Sequence, residues 1–243
     1  MQQKLLNTVK QFGSTNQHAL VIGDVMLDRY LMGEVSRISP EAPVPIVLLK
    51  SQQDRAGGAA NVAANLALLG IKTHIIGCVG KDNEADILRH LMTNIGIETS
   101  AVMQSNQRPT ITKTRILGGH QQMMRLDQEN SQNFTEAEAA ALQASIHAAL
   151  SGAPKIVILS DYAKGLLSEP ICQQIIADCK AKNVPVLVDP KGRDYTKYAG
   201  ATALTPNKKE TAEACDVSPN NPDLISKASA LKNSLNLQFL AVT

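Results

Sequence analysis

The sequence predicts an α/β fold, with a mostly parallel central sheet between two layers of helices and a small β lid beside it. Three observations predict it. Short apolar runs alternate with segments of helical period, the signature of strand–helix–strand units that build a parallel sheet. Two stretches, 29–50 and 110–127, instead carry strand-like alternation with no helix within either, as half-exposed strands of a separate sheet do. Polar or glycine-rich clusters follow directly on several apolar runs, which is where an open parallel sheet binds its ligand.

In chain order, the first strand is read at 18–22 and stops at Gly23-Asp24. The first lid stretch follows, and Gly57-Gly58 opens a helix of small residues at 59–69. A strand at 73–78, a helix at 83–95 and the second lid stretch come next. Within that stretch, residues 110–117 alternate polar and apolar side chains. The helix at 135–150 starts on a capping-box pattern, Thr135 with Glu138, and Gly152 marks its stop. Strands at 155–159, 185–188, 202–204 and 238–242 complete the sheet, with helices at 169–182, 208–215 and 222–233 between them. No repeat, low-complexity segment or interdomain linker is evident, so the 243 residues read as one domain with the lid strands inserted.

Composition narrows the function. The chain is 44% hydrophobic and 19% charged, and its net +2 comes from 24 basic and 22 acidic residues spread along it. No basic face stands out for nucleic acid, and 3% aromatics without Trp offer no stacking platform for single strands. Cys78, Cys172, Cys179 and Cys215 lack metal-ligand spacing and read as reduced thiols. Residues 1–17 lack a signal-peptide core, and no apolar run is long enough to span a bilayer. The expectation is a soluble cytoplasmic protein. No G-x-G-x-x-G follows the first strand, which speaks against a dinucleotide site.

The strand-end clusters are Gly23-Asp24 with Asp28, then Asp161-Tyr162-Ala163-Lys164-Gly165, Asp189-Pro190-Lys191-Gly192, and Thr205-Pro206-Asn207 with Glu210. They should converge on one crevice. Paired glycines before a helix let a ligand approach the backbone and its free N–H groups. Taken alone, Gly57-Gly58-Ala59-Ala60-Asn61 reads first as a tight turn before a closely packed helix, and only second as a ligand site.

Ala56, Gly57, Ala59, Asn61, Ala63, Gly70 and Gly80 resemble the first signature of the ribokinase-like (phosphofructokinase B) carbohydrate kinases. Residues 23–30, 36–45, 160–165 and 189–192 look like its heptose 7-phosphate kinase branch. The resemblance runs from about residue 18 to the end. It implies a ribokinase-like three-layer fold and transfer of the ATP γ-phosphate to the anomeric hydroxyl of D-glycero-D-manno-heptose 7-phosphate, a step toward ADP-heptose and lipopolysaccharide. It places Asp28 as acceptor of sugar hydroxyls, with Gly57, Gly58 and Asn61 completing the sugar pocket. Asn207-Lys208-Lys209-Glu210 is similar to the family's Asn-x-x-Glu element, which serves the nucleotide phosphates and Mg²⁺, with Glu210 at the metal. Asp189 and Lys191 join the nucleotide side, Lys191 reading equally as a solvated surface lysine. For the sugar's own phosphate, Lys113, Arg115 and Arg125 are candidates, or else they solvate an exposed strand face. His120, in a Gly-Gly-His turn, reads as local structure.

The family's Gly-Ala-Gly-Asp element, which supplies an anion hole and the catalytic base, has no counterpart in the string. The expectations are therefore an incomplete kinase fold, a base beyond Thr243, and little turnover by the 243 residues alone. The resemblance also implies a homodimer through the lid, since lids of the family often pair between subunits. The other readings are a kinase for a different sugar phosphate or nucleoside, and a non-catalytic sugar-phosphate-binding or dimerisation module.

Overall fold

The computed structural model describes residues 18–130 and 134–243, so the reading of residues 1–17 lies outside it. The first strand, β1 (His18–Gly23), is buried almost from end to end. The lid strands β2 (Val25–Ile38) and β3 (Pro45–Gly58) leave the body directly from it. Then come α1 (Ala59–Leu68), β4 (Lys72–Val79), α2 (Asn83–Thr93) and a short β5 (Val102–Gln104). The lid resumes with β6 (Thr112–Gly118) and β7 (Gln121–Gln128). The second half alternates α3 (Glu136–Ser151), β8 (Ile156–Ser160), α4 (Glu169–Ala181), β9 (Val186–Asp189) and β10 (Ala203–Leu204). It ends with α5 (Lys208–Ala214), α6 (Leu224–Ser234) and β11 (Phe239–Leu240).

Seven strands form one parallel sheet in the order β11-β10-β9-β8-β1-β4-β5. Side chains of a strand alternate between faces, and β1 shows what that accomplishes here. Leu20 and Ile22 enter a core shared with Leu142 and Ile146 of α3 and Ile171 to Cys179 of α4. Val21 enters a second core with Ala59, Ala60 and Ala63 of α1 and Leu88 and Met92 of α2. One strand thus feeds both faces, which makes the body three-layered. Each fully buried Leu or Ile contributes about 1.5–3 kcal/mol. Among the described residues, no helix is long and apolar enough to cross a membrane.

The lid is a four-stranded sheet, β3-β2-β6-β7, with β2 and β6 parallel and the outer pairs antiparallel. Residues opposite one another share a face, so its two faces can be read from register. Asp28 and Tyr30 lie beside Lys113 and Arg115 on one side and Arg55 and Gln53 on the other. That face is charged. Leu31 lies beside Ile116 and then Met124, while Val35, Leu49 and Leu126 extend the opposite face and are exposed. The Arg29 guanidinium grips Asp54 of β3 through two nitrogens (2.8 and 3.2 Å) and Glu84 in the first turn of α2 (3.0 Å). This fork fixes the base of the lid against the body.

Three differences from the sequence expectation have physical causes. The lid strands run longer than 29–50, because β2 begins as soon as the chain leaves β1 and pairs with β3 down to Gly58. Strand β5 was not foreseen, since three residues carry no readable period. β11 covers two residues rather than five, although Ala241 and Thr243 still donate N–H bonds to Leu204 and Pro206.

Candidate functional site

The sheet order reverses between β1 and β8, whose ends pair Gly23 with Ser160. An open parallel sheet binds ligands at this point. No side chain fits at Gly23, where a Cβ would stand 2.1 Å from the Ser160 carbonyl oxygen. The next residue, Asp24, is 3% exposed, and its carboxylate accepts the N–H groups of Tyr162 (2.9 Å) and Lys164 (3.1 Å). Burial raises the Asp24 carboxyl above the usual carboxylate range, and these N–H donors pull it partly back. Asp161, also 3% exposed, binds the Lys197 ammonium and the Tyr198 hydroxyl, both at 2.6 Å, and the Ala163 N–H at 2.6 Å. Two buried carboxylates thereby pin the loop after β8, with Tyr162 on one side of it and Lys164 on the other.

On the lid side, Asp28 accepts from Arg115 at 2.5 Å, and the Arg115 guanidinium lies 5.2 Å from the centre of the Tyr30 ring. Gly57 faces the same carboxylate, since a Cβ there would stand 2.3 Å from Asp28 Oδ2. Gly58 caps α1 with a φ of 58°, and the Ala59 N–H donates to the Asp24 carbonyl (3.0 Å). Asn61 is exposed in the first turn of α1. Asp28, Gly57, Gly58 and Asn61 are therefore neighbours around a helix N-terminus, whose N–H groups favour oxygen-rich ligands.

A second cleft of about 220 Å³ opens at the ends of β9 and β10, lined by Asp161, Tyr162, Asp189, Lys191, Thr205, Asn207 and Glu210. Asn207 caps α5, accepting the Glu210 N–H at 2.9 Å, while Glu210 Oε2 accepts the Asn207 N–H at 3.0 Å. The Asn-x-x-Glu string is thus also a capping box. The other Glu210 oxygen takes Lys191 at 3.0 Å. Lys208 reaches Asn220, and the largely exposed Lys209 pairs with Glu213 along its helix, so neither lines this cleft. Of the lid cations, Lys113 pairs with Asp127 (3.3 Å), and Arg125 grips the same Asp127 through two nitrogens (2.8 and 2.9 Å). The structure brings Lys113 and Arg115 to the face of Asp28, while Arg125 is held farther out by Asp127.

Burial and the facing Glu210 carboxylate raise the Asp189 carboxyl, with Lys191 opposing. Asp189 and Glu210 both line this polar cleft, and carboxylate oxygens are the donors a hard divalent cation prefers, although both Glu210 oxygens are engaged here by Lys191 and the Asn207 N–H. The crowding has a testable cost. A carboxyl raised in the folded state destabilises the fold once ionised, so the penalty is absent at low pH and complete above the folded pKa. The expected result is that Asp189→Asn melts roughly 1–3 °C higher than the wild type at pH 7. The gap closes as pH falls through the carboxylate range. Thermal melts at stepped pH check this, and a gap that widens on acidification would contradict it.

Several participants carried no role in the sequence reading. Tyr30 and Arg55 follow from strand register, and Lys197 and Tyr198 lie in a short 3₁₀ turn 36 and 37 residues beyond Asp161. A larger cavity of about 380 Å³, near Val186, Thr202 and Gln238, lies at the amino ends of the strands, away from all these groups.

The geometry has relatives. The pfkB family carbohydrate kinase model matches residues 16–243. The chain is 61% identical over 245 residues to the bifunctional protein HldE of Methylobacillus flagellatus, covering 100% of this chain and 50% of that protein. It is 46% identical over 230 residues to the protein of the same name in Magnetococcus marinus, covering 93% and 47%. It thus spans about half the length of the curated relatives it matches. Among solved structures, Arabidopsis thaliana ribokinase complexed with ribose and ATP superposes with a TM-score of 0.67 at 20% identity, over 94% of this chain and 72% of that one. The tetrameric inhibited form of Escherichia coli phosphofructokinase-2 gives a TM-score of 0.72 at 16% identity, over 93% and 73%. These two show a shared ribokinase-like fold.

Proposed function

The chain belongs to the pfkB family of carbohydrate kinases, and from that premise we propose that it holds a sugar phosphate under the lid and ATP beyond it. The substrate we assign is D-glycero-D-manno-heptose 7-phosphate, phosphorylated at its anomeric hydroxyl within a longer protein. One observation carries this reading. The Asp28 carboxylate is aimed at the Gly57 backbone beside the α1 N-terminus and held there by Arg115.

In this reading Asp28 orients the sugar by accepting hydroxyl protons, while bare glycine backbone and Asn61 let the ring approach closely. Holding both reactants in place is most of what phosphoryl transfer asks of a protein. Lys191 meets the nucleotide phosphates in the cleft that Tyr162 also lines. Glu210 with Asp189 would hold Mg²⁺, which neutralises charge on the ATP phosphates when bound. The exposed apolar face of the lid, with Leu49, Met124 and Leu126, supports a homodimer of lid against lid.

The reading is tested by calorimetric titration with heptose 7-phosphate, fructose 6-phosphate and ribose. Heptose 7-phosphate should bind at least about tenfold tighter than the other two, a difference of about 1.4 kcal/mol. A preference for either control would overturn the substrate assignment.

A further inference from the structure

One short turn touches both charged partners of the nucleotide cleft. It ends in the 3₁₀ segment Thr196–Tyr198 and carries two buried tyrosines, Tyr195 and Tyr198. The Tyr198 hydroxyl accepts the Lys191 N–H at 3.3 Å, and the Tyr195 hydroxyl donates to the Glu210 carbonyl at 3.3 Å. We propose that Tyr198 is a positioning residue for Lys191, its hydroxyl holding the backbone after β9 where the Lys191 ammonium reaches the nucleotide phosphates. The inference rests on the nucleotide role given to Lys191 above and names what places that lysine.

The segment after β9 has little else to hold it. Pro190 has no N–H to give. Among the described residues, the bond to Tyr198 is the only hydrogen bond made by the backbone of 190–193. The Lys191 side chain is 48% exposed, and water screens its ion pair with Glu210. The reach of the ammonium is therefore set by the backbone that carries it.

The chemistry of the hydroxyl fits this task. A tyrosine hydroxyl has one proton to donate. Tyr198 gives it to Asp161 at 2.6 Å, a carboxylate that also binds the Lys197 ammonium at 2.6 Å. The Asp161 charge fixes the proton on its own side and leaves an oxygen lone pair for the Lys191 N–H. The Tyr198 ring is fully buried. Gln173 of α4 ties the turn down, donating to the carbonyls of Lys197 (3.0 Å) and Ala199 (3.3 Å). The tether thus joins a loosely bonded segment to the packed body. A role in stability alone would lower the melting temperature of a Tyr198 variant and leave the nucleotide affinity of the folded protein unchanged.

The experiment is a double-mutant cycle, read by calorimetric titration of ATP with Mg²⁺ into the wild type, Tyr198→Phe, Lys191→Gln and the double variant. Phenylalanine keeps the buried ring, and Asp161 keeps Lys197 and the Ala163 N–H as partners. Lys191→Gln should weaken ATP roughly tenfold. Tyr198→Phe should weaken it roughly fivefold, as the loss of one hydrogen bond does. The double variant should bind like Lys191→Gln, because the tether then has no ammonium to place. Amide exchange adds a measurement that needs no variant. In the wild type the Lys191 N–H, relative to its intrinsic rate, should exchange at least about tenfold more slowly than the Gly192 N–H. Equal exchange at the two amides would overturn the tether. Unchanged ATP affinity in Tyr198→Phe beside a weakened Lys191→Gln would overturn the positioning role and leave the nucleotide reading standing. A Tyr198→Phe loss that persists in full without the lysine would do the same. Unchanged affinity in Lys191→Gln, or no binding by the wild type, would overturn the nucleotide reading and this inference with it.

Discussion

Replacing Gly58 with alanine should unfold the junction between lid and body and lower the melting temperature by roughly 6–12 °C, from a loss of about 3 kcal/mol. Gly58 has φ 58° and ψ −135°, a combination that side-chain-bearing residues reach only under strain. Strain is the smaller part. A Cβ at this position would stand 2.3 Å from the Asp24 carbonyl oxygen and 2.7 Å from Met26 Cε. The methionine can move. The carbonyl cannot move cheaply, because it accepts the Ala59 N–H that starts α1 and belongs to the buried residue that anchors the loop after β8. Displacement there also shifts Gly57 away from Asp28, so sugar binding should fall with stability. Gly96→Ala is the internal control. Its φ of 78° is also positive, but nothing lies within 4 Å of a Cβ there. It should cost only about 1 kcal/mol. Equal losses in the two variants would show that strain alone, and not the approach to Asp24, makes Gly58 necessary.

Asp161→Ala should destabilise the chain by about 2–3 kcal/mol. The carboxylate is the shared acceptor for the Lys197 ammonium and the fully buried Tyr198 hydroxyl, and removing it leaves a charge and a hydroxyl short of a partner. A deeply buried pair broken on one side costs more, about 3–5 kcal/mol, but the Lys197 side chain is 23% exposed and water recovers part of the loss. Burial and the Asp161 charge together push the Tyr198 hydroxyl well up, so it stays a donor at any ordinary pH. Asp161→Asn retains one acceptor without the charge and should cost about half as much. The midpoint of urea unfolding with an unchanged slope measures both. A shift below about 0.5 kcal/mol for Asp161→Ala would mean that the network is ornamental to stability.

Much of the body was legible because its strands are buried on both faces and leave continuous apolar runs, such as Ala19 to Ile22. The lid was legible in kind, from alternation, but not in extent. In Gln52 to Gly58 no apolar residue alternates, and the strand exists because its backbone pairs with β2. Register also hid the site's contacts. Asp28 and Arg115 are 87 residues apart and meet only through the β2–β6 pairing. The Asn207-x-x-Glu210 string illustrates the reverse case. A ligand motif was visible there, while the capping box written in the same residues went unread, although Thr135 and Glu138 had been recognised by that pattern.

The measurement that bears most directly on the account is titration of heptose 7-phosphate into the wild type and into Asp28→Asn. Asparagine keeps the shape at Gly57 but loses the charge that attracts hydroxyl protons and the Arg115 partner. The account predicts binding weakened by roughly 30-fold or more, about 2 kcal/mol for a charged hydrogen-bond acceptor. Equal affinity in the two proteins would contradict it and place the sugar elsewhere.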